Sequence, residues 1–385
     1  PMLIAEKIVS GMPEDRAIDR VWAASPGFIN FSLKSSWLAL QVDDILEVGS
    51  DYGSVDVGEG HRVQVEFVSV NPTGPLHVGH ARGAVFGSAL ANILEAARYE
   101  VHREYYINDA GNQMDRFNHS LYARYQQQFG IDAQVPEDGY RGEYMVELAR
   151  ELKNQEGNKF LSKPEHEAVA EIGVLGVSKM LDAIRADMNG LRVDYDVWFS
   201  ERTLYEDGQY KQSMKLLSDK DFLVEREGAT WFKSSALGDE KDKVLIRSTG
   251  IPTYFAGDVA YHYDKFFHRK FDRVIDVLGA DHQGHVLFMD AVVTALGVAP
   301  DRLNLLIYQL VTFKRGKESV RVSKRAGDLI TVRDLVNEVG TDACRYFFLS
   351  RSHDSQMEFD LDLAKQESSE NPVYYVQYAH ARIAS

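Results

Sequence analysis

Two histidines, His77 and His80, stand three residues apart with Gly79 between them, just after an apolar stretch and at the predicted start of a helix. The N-terminus of a helix offers free N–H groups and a partial positive charge, which suit phosphate. Imidazoles placed there can donate to phosphate oxygens that gain negative charge in a transition state. Glycine lets a ligand approach closely. The pattern favours nucleotide chemistry, with incidental histidines at a helix cap or half of a metal site as alternatives.

A second candidate is a compact cationic loop that contains Arg321, Ser323, Lys324, Arg325 and Gly327. Positive charge on such a loop can close over a triphosphate and stabilise pyrophosphate as it leaves. The alternative for the loop alone is a solvated basic turn.

A third candidate follows the apolar run at 274–278, where Gly279, Asp281 and His282 open a helix. Aspartate and histidine can hydrogen-bond to ribose hydroxyls. The alternative is a metal site made of Asp281, His282 and His285, although no further ligand nearby completes a metal set.

The elements that carry these residues read as alternating strands and helices. Alternating apolar residues predict a strand at 63–70, and the following patterns predict a helix at 77–97, a strand at 101–107 and a helix at 111–129. This order indicates an α/β fold with a Rossmann-type, doubly wound parallel sheet. Its ligands would bind at the carboxyl ends of the strands.

Residues 130–245 are more polar, and we interpret them as an α/β subdomain inserted into the nucleotide-binding fold. There we predict helices at 165–189 and 204–218 and a hairpin at 224–233. Parallel α/β character returns with a strand at 274–278, a helix to 296, a strand at 305–311 and a helix at 332–350. A new helix begins after Asn371-Pro372 and stops at Ser385, which suggests that a further domain is cut short.

The composition indicates a soluble globular protein, with 44% hydrophobic and 26% charged residues and no apolar run of eighteen. The single cysteine, Cys344, excludes an intramolecular disulfide framework and argues against a cysteine-built zinc site. We therefore expect a cytoplasmic protein that does not span a membrane. The formal net charge of -15 argues against nucleic-acid binding by bulk charge, although a local basic patch could still bind a nucleic acid.

The wording around these residues resembles the class I aminoacyl-tRNA synthetases. The segment Ser-Val-Asn-Pro-Thr-Gly-Pro-Leu-His-Val-Gly-His at 69–80 is similar to the first class I signature in its arginine-specific, bacterial form. Arg-Val-Ser-Lys-Arg at 321–325 matches the position of the second signature, usually Lys-Met-Ser-Lys. Arg321 and Val322 depart from that wording, so the role of Arg321 stays open. The fragments at 106–113 and 141–144 also resemble this family, and the likeness runs from about residue 20 to the end.

The resemblance implies roles for individual residues. It makes His77, His80 and Lys324 catalytic. It assigns ATP binding to a larger set: His77, Gly79, His80, Gly279, Asp281, His282, Ser323, Lys324 and Arg325. It assigns arginine binding to Glu66, Ser69, Asn71, His80, Tyr254, Asp258 and His282. It implies no metal site.

For four of these residues the structural alternatives remain open. Tyr254 could be a core tyrosine, Asp258 a helix N-cap, Glu66 a solvent-facing strand residue and Asn71 a turn residue. Asn108 and Asp109, which end the second strand, could face the site or serve only in a turn or cap.

The resemblance also implies a domain order. Residues 1–57 would be a partial N-terminal α/β domain that contacts tRNA, and 58–365 the catalytic domain with an acceptor-stem insertion at about 130–245. Residues 366–385 would begin a C-terminal α-helical, anticodon-binding domain.

The implied reaction is ligation of arginine to tRNA through arginyl-adenylate, with ATP and Mg²⁺ as cofactors and arginine and tRNA(Arg) as partners of a monomer. The alternatives are another class I synthetase, a small nucleotidyltransferase with the same histidine motif, and a non-catalytic tRNA-binding relative.

Overall fold

The computed structural model of the chain describes residues 1–109, 111–316, 318–320 and 331–385. Its helices are α1 Met2–Ser10, α2 Ser35–Val48, α3 Ala81–Ala96, α4 Asn112–Gln127, α5 Glu143–Glu156, α6 Glu165–Gly190, α7 Glu201–Glu206, α8 Gln209–Asp219, α9 Tyr254–Tyr263, α10 Val286–Leu296, α11 Val332–Val339, α12 Thr341–Leu349, α13 Leu361–Lys365 and α14 Pro372–Ala384. Its strands are β1 Ile18–Ala24, β2 Phe28–Leu33, β3 Arg62–Phe67, β4 Glu100–Ile107, β5 Val197–Ser200, β6 Leu223–Arg226, β7 Ala229–Phe232, β8 Lys243–Ile246, β9 Arg273–Gly279, β10 Leu303–Tyr308, β11 Val311–Arg315, β12 Glu318–Val320 and β13 Met357–Asp360.

The chain divides into two units by its internal contacts. The first comprises Pro1–Val57 with Ala96–Arg98, and the second comprises Gly58–Glu95 with Tyr99–Ser385. In the first unit, α1 precedes an antiparallel hairpin of β1 and β2, and α2 follows the hairpin. The larger second unit contains every residue that we predicted for the site and that the structure describes.

The second unit is built on a five-stranded parallel sheet with the order β10-β9-β3-β4-β5. The chain builds outward from β3 in one direction through β4 and β5, and in the other through β9 and β10. This reversal defines a topological switch point between β3 and β9, where open α/β sheets bind their ligands. The predicted Rossmann-type α/β fold is confirmed.

The two faces of the sheet carry different side chains. Val63, Val65 and Phe67 of β3 pack with α3, α11 and α12 in one apolar core. On the other face, a second core joins β9 and β10 to α8, α9 and α10. The β3 positions that alternate with the valines are polar and buried, namely Gln64 and Glu66. An alternating strand therefore presents apolar groups to one layer and polar groups to the other.

Helices α5 and α6 of the predicted insertion share an apolar core around Phe117, Met145 and Phe160 with α4, which precedes the insertion. The predicted hairpin is present as β6 and β7, and β8 extends it to three antiparallel strands. Between these two parts lies β5, which pairs with β4 at the edge of the central sheet. The region 130–245 therefore returns to the main sheet once before it ends.

Three predicted elements are wrong in extent, because in the structure each is divided or ends early. In each case the pattern of apolar residues does not indicate where the element ends. The helix predicted at 204–218 is split into α7 and α8 at Gly208, which has φ +91°. The helix predicted at 332–350 is split into α11 and α12 at Gly340, with φ +83°. Only glycine adopts such a φ at no steric cost. The strand predicted at 305–311 ends as β10 at Tyr308, and the chain then enters another sheet as β11.

Candidate active site at the carboxyl edge of the sheet

All five strands of the central sheet end at the same edge, because they run parallel. The residues predicted from the sequence, and one further candidate, Glu201, follow these ends. Ser69 to His80 come after β3, Asp109 after β4, Glu201 directly after β5, and Gly279 to His285 at the end of β9. The fold thus brings together segments that lie as far apart in sequence as positions 69 and 285.

The chain leaves β3 through a strained turn. Val68 and Ser69 have φ values of +70° and +46°, and the N–H of Ser69 donates to the carbonyl of Phe67 at 3.1 Å. A β-branched residue rarely adopts a positive φ, and such strain persists where the surroundings enforce it.

Two residues of β4 hold the strained turn. The N–H of Tyr106 donates to Ser69 Oγ at 3.0 Å. The Tyr105 hydroxyl donates to the Val70 carbonyl at 2.7 Å and accepts from the Val70 N–H at 3.1 Å. The backbone that carries Ser69 and Asn71 is therefore fixed before any ligand binds. The Asn71 amide, for its part, donates to Gln113 Oε1.

His77 and His80 flank a single 3₁₀ turn that leads into α3. His77 Nδ1 accepts from the Gly79 N–H at 3.0 Å, so this histidine caps the turn. The two rings lie 6.0 Å apart between centroids. They stand together at the N-terminus of a 16-residue helix, where the local potential favours an anion.

Two glycines let α3 approach the sheet closely. A Cβ on Gly83 would lie 2.6 Å from the Tyr308 ring, and one on Gly87 would lie 2.3 Å from Phe67. Both contacts are far shorter than van der Waals distance. The small residues thus set how near the histidine turn lies to the ends of β3 and β10.

The predicted triphosphate loop lies outside the described residues, including Arg321, Ser323, Lys324 and Arg325. The residues that follow the loop, from Thr331 onward, are described. Thr331 forms a β-bridge with His77, and the Val332 N–H donates to the Leu76 carbonyl at 2.9 Å. Thr331 also caps α11 through a capping box with Asp334. The chain that follows the loop is therefore anchored beside the histidine turn.

Tyr254 and Asp258 lie one turn apart on α9, which begins at Tyr254 with Thr253 as its N-cap residue. Asp258 is therefore inside the helix, and the alternative N-cap role is wrong. Tyr254 is 62% exposed, so it is not a core tyrosine. Asp258 Oδ2 lies 3.0 Å from His285 Nε2, and the His285 ring stacks near Phe255.

Glu201 is a site candidate that sequence reasoning missed. It starts α7 directly after β5, is 7% exposed, and hydrogen-bonds with the hydroxyls of Tyr106 and Tyr205. Burial raises its pKa to about 7, and repulsion by Asp258 and Asp109 adds to the shift. None of the main causes of this shift is a cation. The short strand β5 was itself not predicted, so no pattern placed Glu201 at the sheet edge.

Asp109 has a capping role in the structure. Its carboxylate accepts from Ser200 Oγ at 2.6 Å and from the Arg202 N–H at 3.3 Å, at the start of α7. The carboxylate therefore makes capping contacts, as one of the two alternatives for this residue predicted. Because the same carboxylate helps raise the pKa of Glu201, Asp109 also contributes to the electrostatics of the site.

Glu66 is buried, so it is not a solvent-facing strand residue. Its Oε2 accepts from Lys265 Nζ at 2.6 Å, and Lys265 also donates to Asp276 Oδ1 at 2.8 Å. His262 links this group to α9, with Nε2 3.0 Å from Asp276 Oδ2 and Nδ1 2.9 Å from the Asp258 carbonyl.

The β9 end of the site is open. Asp281 and His282 lie in a 3₁₀ turn after Gly279, with 81% and 53% of their side chains exposed and 3.7 Å between Asp281 Oδ2 and His282 Nε2. Gly279 makes room for Asp281, whose Oδ1 would lie 2.5 Å from a Cβ at that position. Within the described ranges, no three histidine, cysteine or acidic side chains, those of Asp281, His282 and His285 included, group as metal ligands.

Comparison with known proteins agrees with this geometry. The sequence model for the catalytic domain of class I tRNA synthetases (R) matches residues 41–368, and that for the arginyl tRNA synthetase N-terminal domain matches residues 1–33. The chain is 56% identical over all 385 residues to an arginine–tRNA ligase of Dehalococcoides mccartyi and 50% identical to one of Carboxydothermus hydrogenoformans, spanning 69% of each.

Solved structures show the same architecture. A Campylobacter jejuni structure described as an arginyl-tRNA synthetase superposes with a TM-score of 0.84 at 37% identity, covering 91% of this chain and 76% of that one. The Thermus thermophilus arginyl-tRNA synthetase superposes with a TM-score of 0.67 at 22% identity, covering 99% of this chain and 72% of that one, which shows the shared fold.

The sheet, the histidine turn at its switch point and these matches define a class I tRNA synthetase domain. Within that class, the chain belongs to the arginyl-tRNA synthetase family. The prediction of an enzyme, an arginine–tRNA ligase that uses ATP, is confirmed, and the match to this one family removes the other class I synthetases and the small nucleotidyltransferases as alternatives.

No helix among the described residues is both long and apolar enough to cross a bilayer.

Proposed function

We propose that the carboxyl edge of the central sheet is where this chain activates arginine with ATP, and that Asp258 and Glu201 bind the guanidinium. The observation that carries the proposal is that the buried Glu201 lies close enough to Asp258 for burial first and the Asp258 charge second to raise the pKa of Glu201. A guanidinium would relieve that repulsion and match the carboxylates with its fork of donors. Tyr254 on the preceding turn of α9 would cover the same group.

The backbone end of arginine would lie toward β3. Glu66 would accept from the α-ammonium, helped by Ser69 and Asn71, and His80 and His282 would complete the contacts. Support comes from the position of Glu66 at the end of β3, in register with acidic residues on both neighbouring strands. The strained turn at Val68 and Ser69 would keep these acceptors in place without a reorganisation cost.

ATP would lie across the N-terminus of α3. His77, Gly79 and His80 would contact its phosphates, with Ser323, Lys324 and Arg325 from the neighbouring loop, while Gly279, Asp281 and His282 would hold the ribose and adenine. The bridge between Thr331 and His77 supports this arrangement, because it anchors the loop's flank at the histidine turn.

In the first step, an arginine carboxylate oxygen attacks the α-phosphorus of ATP and pyrophosphate leaves. His77 and His80 donate hydrogen bonds to phosphate oxygens as negative charge builds up, so positioning and charge stabilisation replace a covalent nucleophile. In the second step, the 2′-hydroxyl of the terminal tRNA ribose attacks the arginyl carbonyl carbon and AMP leaves. Mg²⁺ would arrive with ATP and keep much of its water, which fits the lack of a three-ligand cluster among the described side chains.

The same proposal extends to the rest of the chain. The N-terminal part, residues 1–57, would contact tRNA. The insertion at about 130–245, which includes α5 and α6, would contact the acceptor stem, and 366–385 would begin the anticodon-binding domain. We propose a monomer that works in the cytoplasm, in keeping with the single buried cysteine.

The test is exchange of labelled pyrophosphate into ATP in the presence of tRNA(Arg), with arginine, lysine and citrulline compared, followed by charging of the tRNA. We expect exchange and charging with arginine alone. Equal exchange with lysine would contradict the guanidinium site at Asp258 and Glu201. A folded chain that binds arginine and ATP without any exchange would instead be a non-catalytic relative.

A further inference from the structure

Three carboxylates lie side by side across the middle of the sheet. Glu66 of β3 is the register partner of Glu104 on β4 and of Asp276 on β9. All three are buried, with 0–8% of each residue exposed. Like charges directly opposite one another in a sheet repel, and burial increases the cost. Such a row requires cations placed directly against it.

Two cations cover the row, and both come from the segment that follows α9. The Arg269 guanidinium donates two hydrogen bonds to the Glu104 carboxylate, from Nη1 to Oε2 at 2.5 Å and from Nη2 to Oε1 at 2.9 Å. Lys265, with its ammonium fully buried, is shared between Glu66 and Asp276 and lies 4.1 Å from the Tyr261 ring centroid. A π-helical turn at Asp264–His268 supplies Lys265 at this point, and π turns are common at functional sites.

The two acids that share Lys265 differ in their other partners. Asp276 also faces His262, and the pKa of Asp276 is lowered by Lys265 and by that histidine. For Glu66, burial raises the pKa, Asp276 and Glu104 raise it further, and Lys265 is the cation that opposes them. The ionised state of Glu66 therefore depends on Lys265 more than that of Asp276 does. Among the residues that the structure describes, the buried tyrosines 106, 195 and 261 also face Glu66.

One hydrogen-bonded chain joins the two ends of the arginine site. It runs from the Asp258 carbonyl through His262, Asp276 and Lys265 to Glu66. The chain thus connects the backbone of Asp258, whose carboxylate we assign to the guanidinium, with the Glu66 carboxylate that we assign to the α-ammonium.

We propose that Lys265 is a positioning residue for arginine, which holds Glu66 ionised and oriented to receive the substrate's α-ammonium. This inference rests on the proposed role of Glu66. Without Lys265, Glu66 takes up a proton in preference to Asp276, and arginine must displace that proton in order to bind. The loss is then one of arginine affinity that recovers at high pH, while ATP binding is unaffected.

The experiment is calorimetric titration of the full chain with arginine at several pH values, repeated in two buffers of different ionisation heat to count released protons. The variants are Lys265→Met, Glu66→Gln and, as a matched control, Lys220→Met. Lys220 donates to the Ala295 and Leu296 carbonyls at the end of α10, away from the row of carboxylates. An ATP analogue is titrated in parallel, and thermal unfolding reports on the fold.

We expect Lys265→Met to weaken arginine binding at least tenfold at pH 7, to recover most of it by pH 9, and to release more protons per arginine than the parent. Lys220→Met should match the parent in all three readouts. If Lys265→Met does not fold, the double variant Lys265→Met with Asp276→Asn carries the test, because it removes opposite charges together. It should bind arginine within about threefold of the parent, with no extra proton release, since the repulsion of Glu66 by Asp276 is gone and Glu104 is still paired with Arg269.

Two results have different meanings. If Glu66→Gln binds arginine as the parent does, the proposed role of Glu66 is wrong. Two other outcomes would overturn the inference about Lys265 while the proposed function stands. In the first, Glu66→Gln weakens arginine binding but Lys265→Met changes neither the arginine affinity nor its pH dependence. In the second, the double variant loses arginine binding at every pH.

Discussion

The arginine end of the site and its β9 end are built differently. At the arginine end, Glu66 and Glu201 are nearly inaccessible and are held by side chains from other elements. At the β9 end, Asp281 and His282 are mostly exposed. The proposed amino-acid pocket is thus preorganised, whereas the proposed nucleotide side is left to be completed by its ligand. Preorganised groups contribute most to specificity and to transition-state stabilisation, so substitutions at the two ends should differ in size.

The largest effect should come from the histidine turn between the two ends. His80→Ala should lower the rate of adenylate formation by about 10²–10³-fold, as expected when one donor to a developing oxyanion is removed. The measurement is tRNA-dependent pyrophosphate exchange, with thermal unfolding to show that the fold is intact. A rate unchanged from the parent would contradict the role of His80.

The second-largest effect should come from substitutions at the arginine end of the site. Asp258→Asn and Glu201→Gln should each raise the KM for arginine by about tenfold to a hundredfold, because a charge-assisted hydrogen bond to the guanidinium is weakened. The KM for ATP should stay within about twofold of the parent value, because the two carboxylates are proposed to contact arginine and not ATP. Equal losses for arginine and ATP would show that the two ends are not distinct.

The raised pKa of Glu201 gives the arginine end a pH dependence. With a pKa of about 7, Glu201 is protonated in slightly acidic solution, and arginine must displace the proton. Arginine affinity should therefore fall by up to about tenfold per pH unit below 7 and level off above it.

The free energy of unfolding of the ligand-free chain should change with pH in the opposite direction to arginine affinity. Because the folded-state pKa of Glu201 is raised, its contribution to stability is fully present below about pH 4.5 and is lost as the pH rises through 7. Glu201→Gln should flatten both profiles, as followed by arginine titration and thermal unfolding. A parent affinity that is flat from pH 5.5 to 8 would contradict an ionisation of Glu201 coupled to arginine.

The smallest effect should come from the open end. Asp281→Asn should raise the KM for ATP only about twofold to fivefold and leave the KM for arginine unchanged, because an exposed polar contact contributes little. Steady-state exchange kinetics with each substrate varied in turn give both values. A loss as large as that of Asp258→Asn would show that the β9 end is as tightly built as the arginine end.

The sequence predicted what short motifs and simple periods encode. Apolar alternation in β3 located the first strand, and the histidine pair after it located the ligand edge of the sheet. Pairing between strands does not appear in such patterns. The row formed by Glu104, Glu66 and Asp276 exists only because β4, β3 and β9 align in register.

Glu201 escaped prediction for a related reason. It follows a four-residue strand within a polar region, and its importance comes from burial against α9, where its Oε1 lies 2.8 Å from the position of a Cβ on Gly257. Lys265 reads in sequence as an ordinary charged residue near a helix end, and the π-helical turn that buries it has no sequence signature. Long-range packing decides both positions.

The most direct test of the account is calorimetric titration of this chain with arginine, citrulline and lysine in the presence of a non-hydrolysable ATP analogue. Citrulline keeps the shape of arginine but lacks its charge, so it isolates the role of the paired carboxylates Asp258 and Glu201. The account predicts saturable heat with arginine, at least a hundredfold weaker binding of citrulline, and no binding of lysine. Comparable affinity for arginine and citrulline would show that these carboxylates do not bind the guanidinium.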